Sequence, residues 1–410
     1  MSDLRRLLIH GLLALLGVGL VACGALVDPN PYVAVIDAGS SGSRVYLYQR
    51  SQSGSQTRTE LLYSEAGGLA MSSFETNPTE AGPKGVQPLL TTLRTKLAQL
   101  GIDEAQVSIH LLATAGMRLV EQRNPDAAAT LYNSVRNTLA STRMRVGRVE
   151  TMSGQLEALY AWANANYLSG TFSGSGKTPV GIIEVGGASA QLAYVTSASA
   201  ADSNIISVVI DGRSYRVYGI SWLGLGQNEA RRKMIESTAS GGGTSNNACY
   251  PDNPSGAGGL TDFDADIGGY RIAAGRYNFD TCSSLYSAVL KPFNVGAASQ
   301  GADFAATYLL GISSLEFALK DWKALDDESV LDDNLKATCE GTNAWGAKVS
   351  PFLGGSTNRF AQNSCANGTF SHTLMFGSSG VGVRPSQFSA VSTIDGQPLT
   401  WTQGFALIQD

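Results

Sequence analysis

The chain has 410 residues, 43% of them hydrophobic, and a formal net charge of −5. That is enough apolar material for a large core spread over about two or three domains. The acidic balance, with no basic run and no basic stripe interleaved with aromatics, argues against a nucleic-acid backbone as partner.

The first stretch reads as a targeting segment. Arg5 and Arg6 precede an apolar run of 16 residues, Leu7 to Ala22, short of the ~20 that a membrane span needs. Leu20-Val21-Ala22-Cys23-Gly24 closes it and is similar to a bacterial lipoprotein signal. The expectation is cleavage before Cys23, a lipid anchor on its sulfur, and an exported protein at the periplasmic face or cell envelope. Residues 1–22 would then be the signal and 23–31 a tether with Pro29 and Pro31. The other cysteines, Cys249, Cys282, Cys339 and Cys365, suit an oxidising compartment. Three pairings are open to them, and the two neighbouring pairs, Cys249–Cys282 and Cys339–Cys365, are expected.

The folded part opens with Val33 to Tyr48, VAVIDAGSSGSRVYLY. An apolar run ends at Asp37, a Gly/Ser turn follows, and alternation resumes at Arg44, which predicts strand, tight turn and strand. Glycines let a backbone approach a ligand closely, and successive N–H groups in such a turn can hold an anion. Asp37 is placed to hold a hydrated cation beside that anion. Pro83 to Leu100 carries a helical period that stops at Gly101. Val107 to Leu112 reads as a buried strand and delivers Ala113-Thr114-Ala115-Gly116-Met117-Arg118. Asn124-Pro125-Asp126 starts a helix towards Thr142, and Met144 to Val149 alternates as a strand. Ser153 then caps a helix through Leu168 that carries Glu157.

Leu168 to Lys177 is a polar lobe junction. Its Gly176-Lys177-Thr178 is not a P-loop, because the first glycine would fall on Thr171 and a strand follows. Val180 to Val195, VGIIEVGGASAQLAYV, then repeats the opening hairpin 147 residues on. Asp37 falls on Glu184, Gly39 on Gly186, Ser41 on Ala188 and Arg44 on Gln191. A repeat at a domain-sized interval predicts two related lobes. Two such turns facing each other would clamp a chain of phosphates. Beyond it, Ser207 to Gly219 reads as paired strands and Leu225 to Ile235 as a helix holding Gln227, Asn228 and Glu229. Ser237 to Gly259 is a Gly-rich loop. Asp262, Asp264 and Asp266 imitate a calcium loop, but Ile267 and Ala273 break the pattern. Residues 303–323 and 328–340 are expected as helices, and a short apolar helix ends the chain. The series predicts an α/β fold, with lobe I over 32–168 plus 390–410 and lobe II over 169–389.

Without its leader the chain keeps two histidines, His110 and His372, both expected to be structural. This disfavours a His-rich metal site and a Ser-His-Asp triad. Carboxylates, hydroxyls and glycine turns remain, an inventory suited to phosphoryl transfer to water, in which the protein positions groups and a divalent ion neutralises charge. Such a reaction needs a general base, for which Glu157 stands out.

Together these segments resemble the ecto-nucleoside triphosphate diphosphohydrolase (apyrase) family. DAGSSGSR (37–44), ATAGMR (113–118), SGQLEALYAW (153–162), EVGGASAQ (184–191), SWLGLGQNEA (221–230) and TWTQG (400–404) occur in family order. The resemblance implies two actin-like (RNase H-like) lobes with a nucleotide cleft between them, and hydrolysis of terminal phosphates of nucleoside tri- and diphosphates. It implies that Asp37 and Glu184 hold waters on Mg2+ or Ca2+, with Thr114 and Trp401 nearby. Ser40, Ser41, Gly42, Ser43 and Arg44, with Gly186, Gly187, Ala188 and Ser189, would surround the phosphates. Glu157 would be the base, Ser189 and Gln191 would position the water, and Arg118 would be an internal ion-pair partner. The family usually has Asp where Glu184 stands, Gly at Ala158 and Thr at Ala190. A nucleobase platform is implied without a clear sequence signal, with Phe317, Trp322 and Trp345 as its candidates.

An exopolyphosphatase or guanosine pentaphosphate phosphatase resembles the same turns, but Gln191, ATAGMR and the export signal point away from it. Sugar kinases would need an acceptor pocket, and chaperone ATPases a long appended domain. A non-catalytic nucleotide-binding lipoprotein is the alternative outside enzymes.

Overall fold

The computed structural model describes residues 31–174, 176–199, 202–240, 244–250, 271–340 and 359–409. The expected signal with Cys23, the aspartates at 262, 264 and 266, and Trp345 lie outside the described residues.

Strands β1 (Tyr32–Ala38) and β2 (Ser43–Ser53) form the opening hairpin, with Asp37 opposite Arg44. β3 (Gln56–Gly68) extends it antiparallel. Helix α1 (Gln87–Leu100) ends on Gly101, whose φ of +69° suits a glycine. β4 (Val107–Ala113) joins β1 in parallel. α2 (Ala115–Arg123) and α3 (Pro125–Leu139) follow, the latter capped by Asn124. β5 (Arg145–Thr151) completes the sheet in the order β3-β2-β1-β4-β5. Ile36, Val45 and Ile109 pack with Leu90, Leu93 and Leu131 on one face. Val33, Val35 and Leu112 pack on the other in a cluster shared with Phe405 of the closing helix Trp401–Ile408, while α4 (Gly154–Leu168), which Ser153 caps, lies against the second sheet. Burial on both faces is why β1 and β4 read as continuous apolar runs.

The second half starts with β6 (Gly181–Val185) and β7 (Ser189–Val195), then β8 (Ile205–Ile210), β9 (Arg213–Leu223) and α5 (Gln227–Thr238). Short strands β10 (Ala239–Ser240), β11 (Thr244–Asn247) and β12 (Arg271–Gly275) make a small sheet. Then come α6 (Phe279–Leu290), α7 (Ala302–Ala306), β13 (Leu309–Ser313), α8 (Ser314–Asp321) and α9 (Glu328–Cys339). α10 (Arg359–Met375), β14 (Phe388–Ala390) and α11 (Trp401–Ile408) end the chain. The sheet runs β14-β13-β6-β7-β9-β8. Its part β9-β7-β6-β13-β14 repeats β3-β2-β1-β4-β5, with β8 added at one edge. The two glycine turns therefore belong to a repeat of whole sheets, and the fold is two actin-like α/β lobes. Cys249–Cys282 and Cys339–Cys365 are paired, as the spacing led us to expect.

One helix expected from the sequence is wrong. Residues 303–323 are interrupted by β13, the parallel strand beside β6. Leu309–Ser313 is short and apolar, and such a run fits either period. Its partners explain the missing polar alternation: it lies between β6 and β14, and Gly311 sits against the Phe388 ring.

Helices α4 and α11 cross in the seam between the sheets, where Trp162 and Phe405 share a cluster with Ile182 and Val217. A Cβ on Gly404 would lie 1.9 Å from the Tyr160 carbonyl oxygen, so the two backbones touch. Buried polar groups tie the crossing. Asn164 Nδ2 donates to Gln403 Oε1 at 2.8 Å, and Thr400 N donates to Asn164 Oδ1 at 2.9 Å.

Candidate functional site

The strands of each sheet deliver their acidic ends to one cleft. β1 carries Asp37 and β6 carries Glu184 at matching places, and Thr114 and Ser313 stand where β4 and β13 pass into helices. The two glycine turns face each other across it, since a Cβ on Gly187 would lie 2.6 Å from Ser40 Oγ. Both turns are buttressed from behind. Gly116, at the start of α2, comes so close that its Cβ would lie 3.0 Å from Ser40 Cα. Gly226 would bring a Cβ within 2.2 Å of the Ala188 nitrogen. Gln227 and Asn228 then donate their N–H groups to the Gly186 and Gly187 carbonyls at 2.8 and 2.9 Å.

Three carboxylates are buried at this place. Asp37 is 8% exposed, Glu157 6% and Glu184 6%. Burial pushes Asp37 up to about 7, with the Arg44 charge pulling down and the Glu157 charge adding to the rise. Burial pushes Glu184 up to about 8, helped by the charges of Glu157 and Asp37 and opposed by a hydrogen bond from Ser313 and the Arg118 charge. Burial also raises Glu157, against the pull of its Arg118 partner.

Glu157 is held from several sides. Arg118 Nη2 pairs with its Oε2, and Gln191 Nε2 lies 3.3 Å from the same oxygen. Gln191 Nε2 is also 2.5 Å from Ser189 Oγ and 3.1 Å from Ser221 Oγ. Arg118 donates to Ser221 Oγ at 3.2 Å and Ser189 Oγ at 3.4 Å. This needs a glycine at 154, whose Cβ would lie 2.2 Å from Arg118 Nη1. A guanidinium and an amide thus hold the carboxylate, and both also reach the Ser189 and Ser221 hydroxyls, a polar setting that can hold and orient a water.

The other sequence-derived residues divide. Ser40 and Gly42 are half-buried in the first turn, and Ser41 is exposed at its tip. Gly186 and Gly187 are half-buried and Ala188 and Ser189 buried in the second. Arg44 lies at the rim, 3.8 Å from Asp37 Oδ2. Thr114 is buried, its N–H donated to the Ala38 carbonyl at 3.3 Å. Trp401 is buried in the seam cluster and brings an indole donor, no ligand oxygen. Ser43 is buried, its hydroxyl donating to the Leu69 carbonyl at 2.6 Å. Trp322 is a core residue of lobe II, buried with Nε1 donating to Ser364 O at 3.2 Å. Phe317 is 51% exposed on α8. Both histidines are structural. His110 accepts from Arg148 N at 3.0 Å, with burial first among the causes holding it down to about 4. His372 stands 3.5 Å from Glu328.

Sequence reasoning missed Ser313, which donates to Glu184 Oε1 at 2.8 Å. It lay inside the run expected to be helical. Its signal was an apolar run ending in hydroxyls, as at Ala113-Thr114.

Among the described residues no cluster of three His, Cys, Asp or Glu side chains could ligate one ion directly. Asp37 Oδ1 and Glu184 Oε2 are nonetheless buried without a hydrogen-bond partner. Two orphaned carboxylate oxygens suit a hydrated cation that takes one or two carboxylates and keeps its own waters.

A protein-family model described as the GDA1/CD39 (nucleoside phosphatase) family matches residues 26–409. The mouse "Ectonucleoside triphosphate diphosphohydrolase 3" is 30% identical over 238 residues, 54% of this chain and 44% of that protein. The pea "Nucleoside-triphosphatase" is 30% identical over 231 residues, 51% of this chain and 48% of that protein. The chain thus spans a little under half the length of these relatives. A nucleoside triphosphate hydrolase structure from Neospora caninum superposes with a TM-score of 0.59 over 92% of this chain and 91% of that one, at 16% identity, a likeness of fold.

Proposed function

The chain belongs to the GDA1/CD39 (nucleoside phosphatase) family, and from that premise we propose that it cleaves terminal phosphoanhydride bonds of nucleoside tri- and diphosphates. The observation that carries this reading is Glu157, buried where the two turns meet and ringed by Arg118, Ser189 and Gln191. Glu157 takes a proton from the attacking water, which Ser189 and Gln191 orient. A raised carboxylate suits this task, because a base works best near the operating pH. The two turns cradle the phosphates with their backbone. Asp37 and Glu184 would hold a hydrated Mg2+ or Ca2+, which supplies charge neutralisation to the phosphates when bound.

Phosphate release from ATP and ADP with added Mg2+, compared with long polyphosphate and AMP, tests the reading. Release from ATP and ADP is expected, with little from AMP. Faster release from polyphosphate than from either nucleotide would replace this reading with the exopolyphosphatase one.

Acidity gives a second check. Burial lifts Asp37 to about 7 and Glu184 to about 8 in the folded chain, well above the ordinary carboxylate range of about 4. Raised carboxylates bind protons more tightly folded than unfolded, so they cost nothing below the unfolded values. Their penalty builds as pH climbs from about 4 to about 8. A hydrated cation held beside them offsets that penalty. The Mg2+-induced rise in thermal midpoint should therefore be larger at about pH 8.5 than at about pH 6. An equal rise at both would separate these carboxylates from cation binding.

A further inference from the structure

Glu184, Gln191 and Ser221 are direct neighbours across β6, β7 and β9, so they share one face of the second sheet. That face meets the start of α4 so closely that a Cβ on Gly154 would lie 2.3 Å from Ser221 Oγ. Ser221 Oγ accepts from Arg118 Nη1 at 3.2 Å and from Gln191 Nε2 at 3.1 Å. The same two side chains reach Glu157, and both end on one oxygen, Oε2. Oε1 is bonded to no described residue. Glu157 is thus gripped on one oxygen and open on the other. Arg–carboxylate pairs are frequently two-pronged, because the guanidinium fork matches both oxygens, and that form is the stronger one. Here the second prong is taken up by Ser221.

We propose that Ser221 is a positioning residue: by holding Arg118 Nη1 it keeps Arg118 from closing on both oxygens of Glu157, and so leaves Oε1 open to take the proton of the attacking water. This rests on the reading of Glu157 as the base. Ser221 acts through Arg118 and need touch neither the water nor the phosphates. The contact also joins the two halves, since Arg118 lies on α2 beside the first sheet and Ser221 on β9 of the second. The charged groups around Glu157 are Arg118, Asp37 at the end of β1 and Glu184 at the end of β6. The two carboxylates oppose its charge and the guanidinium favours it, so the number of Arg118 prongs on Glu157 governs how readily it accepts a proton. Without Ser221 the fork closes, Oε1 is occupied, and Glu157 becomes a weaker base.

The test is steady-state kinetics of the whole protein on ATP with Mg2+ across pH. Ser221→Ala should lower kcat by about tenfold with KM changed by less than about twofold. The acidic limb of its kcat profile should move to lower pH by about one pH unit. Ser221→Cys keeps the size and offers a poor acceptor, so it should follow in the same direction by less. The deciding comparison replaces Arg118 with Lys, whose ammonium has no fork. In the Arg118→Lys background, Ser221→Ala should leave the limb in place and change kcat by less than about twofold. An equal loss of kcat in both backgrounds gives Ser221 a packing role and overturns the proposal. An acidic limb that stays in place in Ser221→Ala overturns it too. Should Glu157→Gln keep its turnover, the base reading falls and this one with it. Should Glu157→Gln lose its turnover while Ser221→Ala matches the parent, the role of Ser221 falls and the base stands.

Discussion

Replacing Glu157 with Gln is expected to lower phosphate release from ATP by about 10²–10⁴-fold, the worth of a positioned general base. The loss should fall on kcat, because nothing in the geometry gives Glu157 a grip on the resting phosphates. The fold should survive. Gln keeps the shape and an oxygen that can accept from Arg118. Arg118 also retains the hydroxyls of Ser221 and Ser189. Steady-state kinetics of the variant beside its far-ultraviolet circular dichroism would decide. Turnover within about threefold of the parent, at an unchanged spectrum, would remove Glu157 from the role and pass the proton to another group.

The largest structural effect is expected at Gly404. An alanine there puts its Cβ 1.9 Å from the Tyr160 carbonyl oxygen, and the next atoms are Tyr160 C and Cα at 2.6 and 2.9 Å. All three are backbone of a buried helix and cannot swing aside. Relief requires α4 and α11 to move apart, which opens the seam and loosens the Asn164–Gln403 and Tyr48–Thr402 hydrogen bonds. Overpacking of this kind costs about 3 kcal/mol or more. The expected result of Gly404→Ala is a much lower thermal midpoint, or loss of soluble protein. A midpoint within about one degree of the parent would show that the crossing has slack.

Much of this was legible in the residues. Ser153 and Asn124 announced their helices because a capping hydroxyl or amide is a local signal. Asp37 and Glu184 stood out because a glycine turn after an apolar strand is rare enough to notice when it occurs twice. What escaped was set by tertiary contact. Ser43 carries the composition of a phosphate turn, and its hydroxyl is claimed by Leu69, a residue 26 positions away. β13 shows no alternation because Gly311 is pressed on Phe388, and Ser313 is remote from Glu184 in the chain. Trp322 differs from an exposed platform only by its burial, which no local pattern records.

The doubled sheets make the frame nearly symmetric, and the proposed chemistry is one-ended. Counting from the capping hydroxyls, Glu157 is four residues past Ser153, and the residue four past Thr400 is Gly404. One half therefore spends that position on a carboxylate, and the other spends it on the contact that lets the halves join. With Glu157 as the proposed base, a linear occupant of such a frame would meet a reactive group at one terminus only. On the proposed role of Glu157, the polarity of the cleft follows from which of the two hydroxyl-capped helices kept a carboxylate and which gave up its side chain.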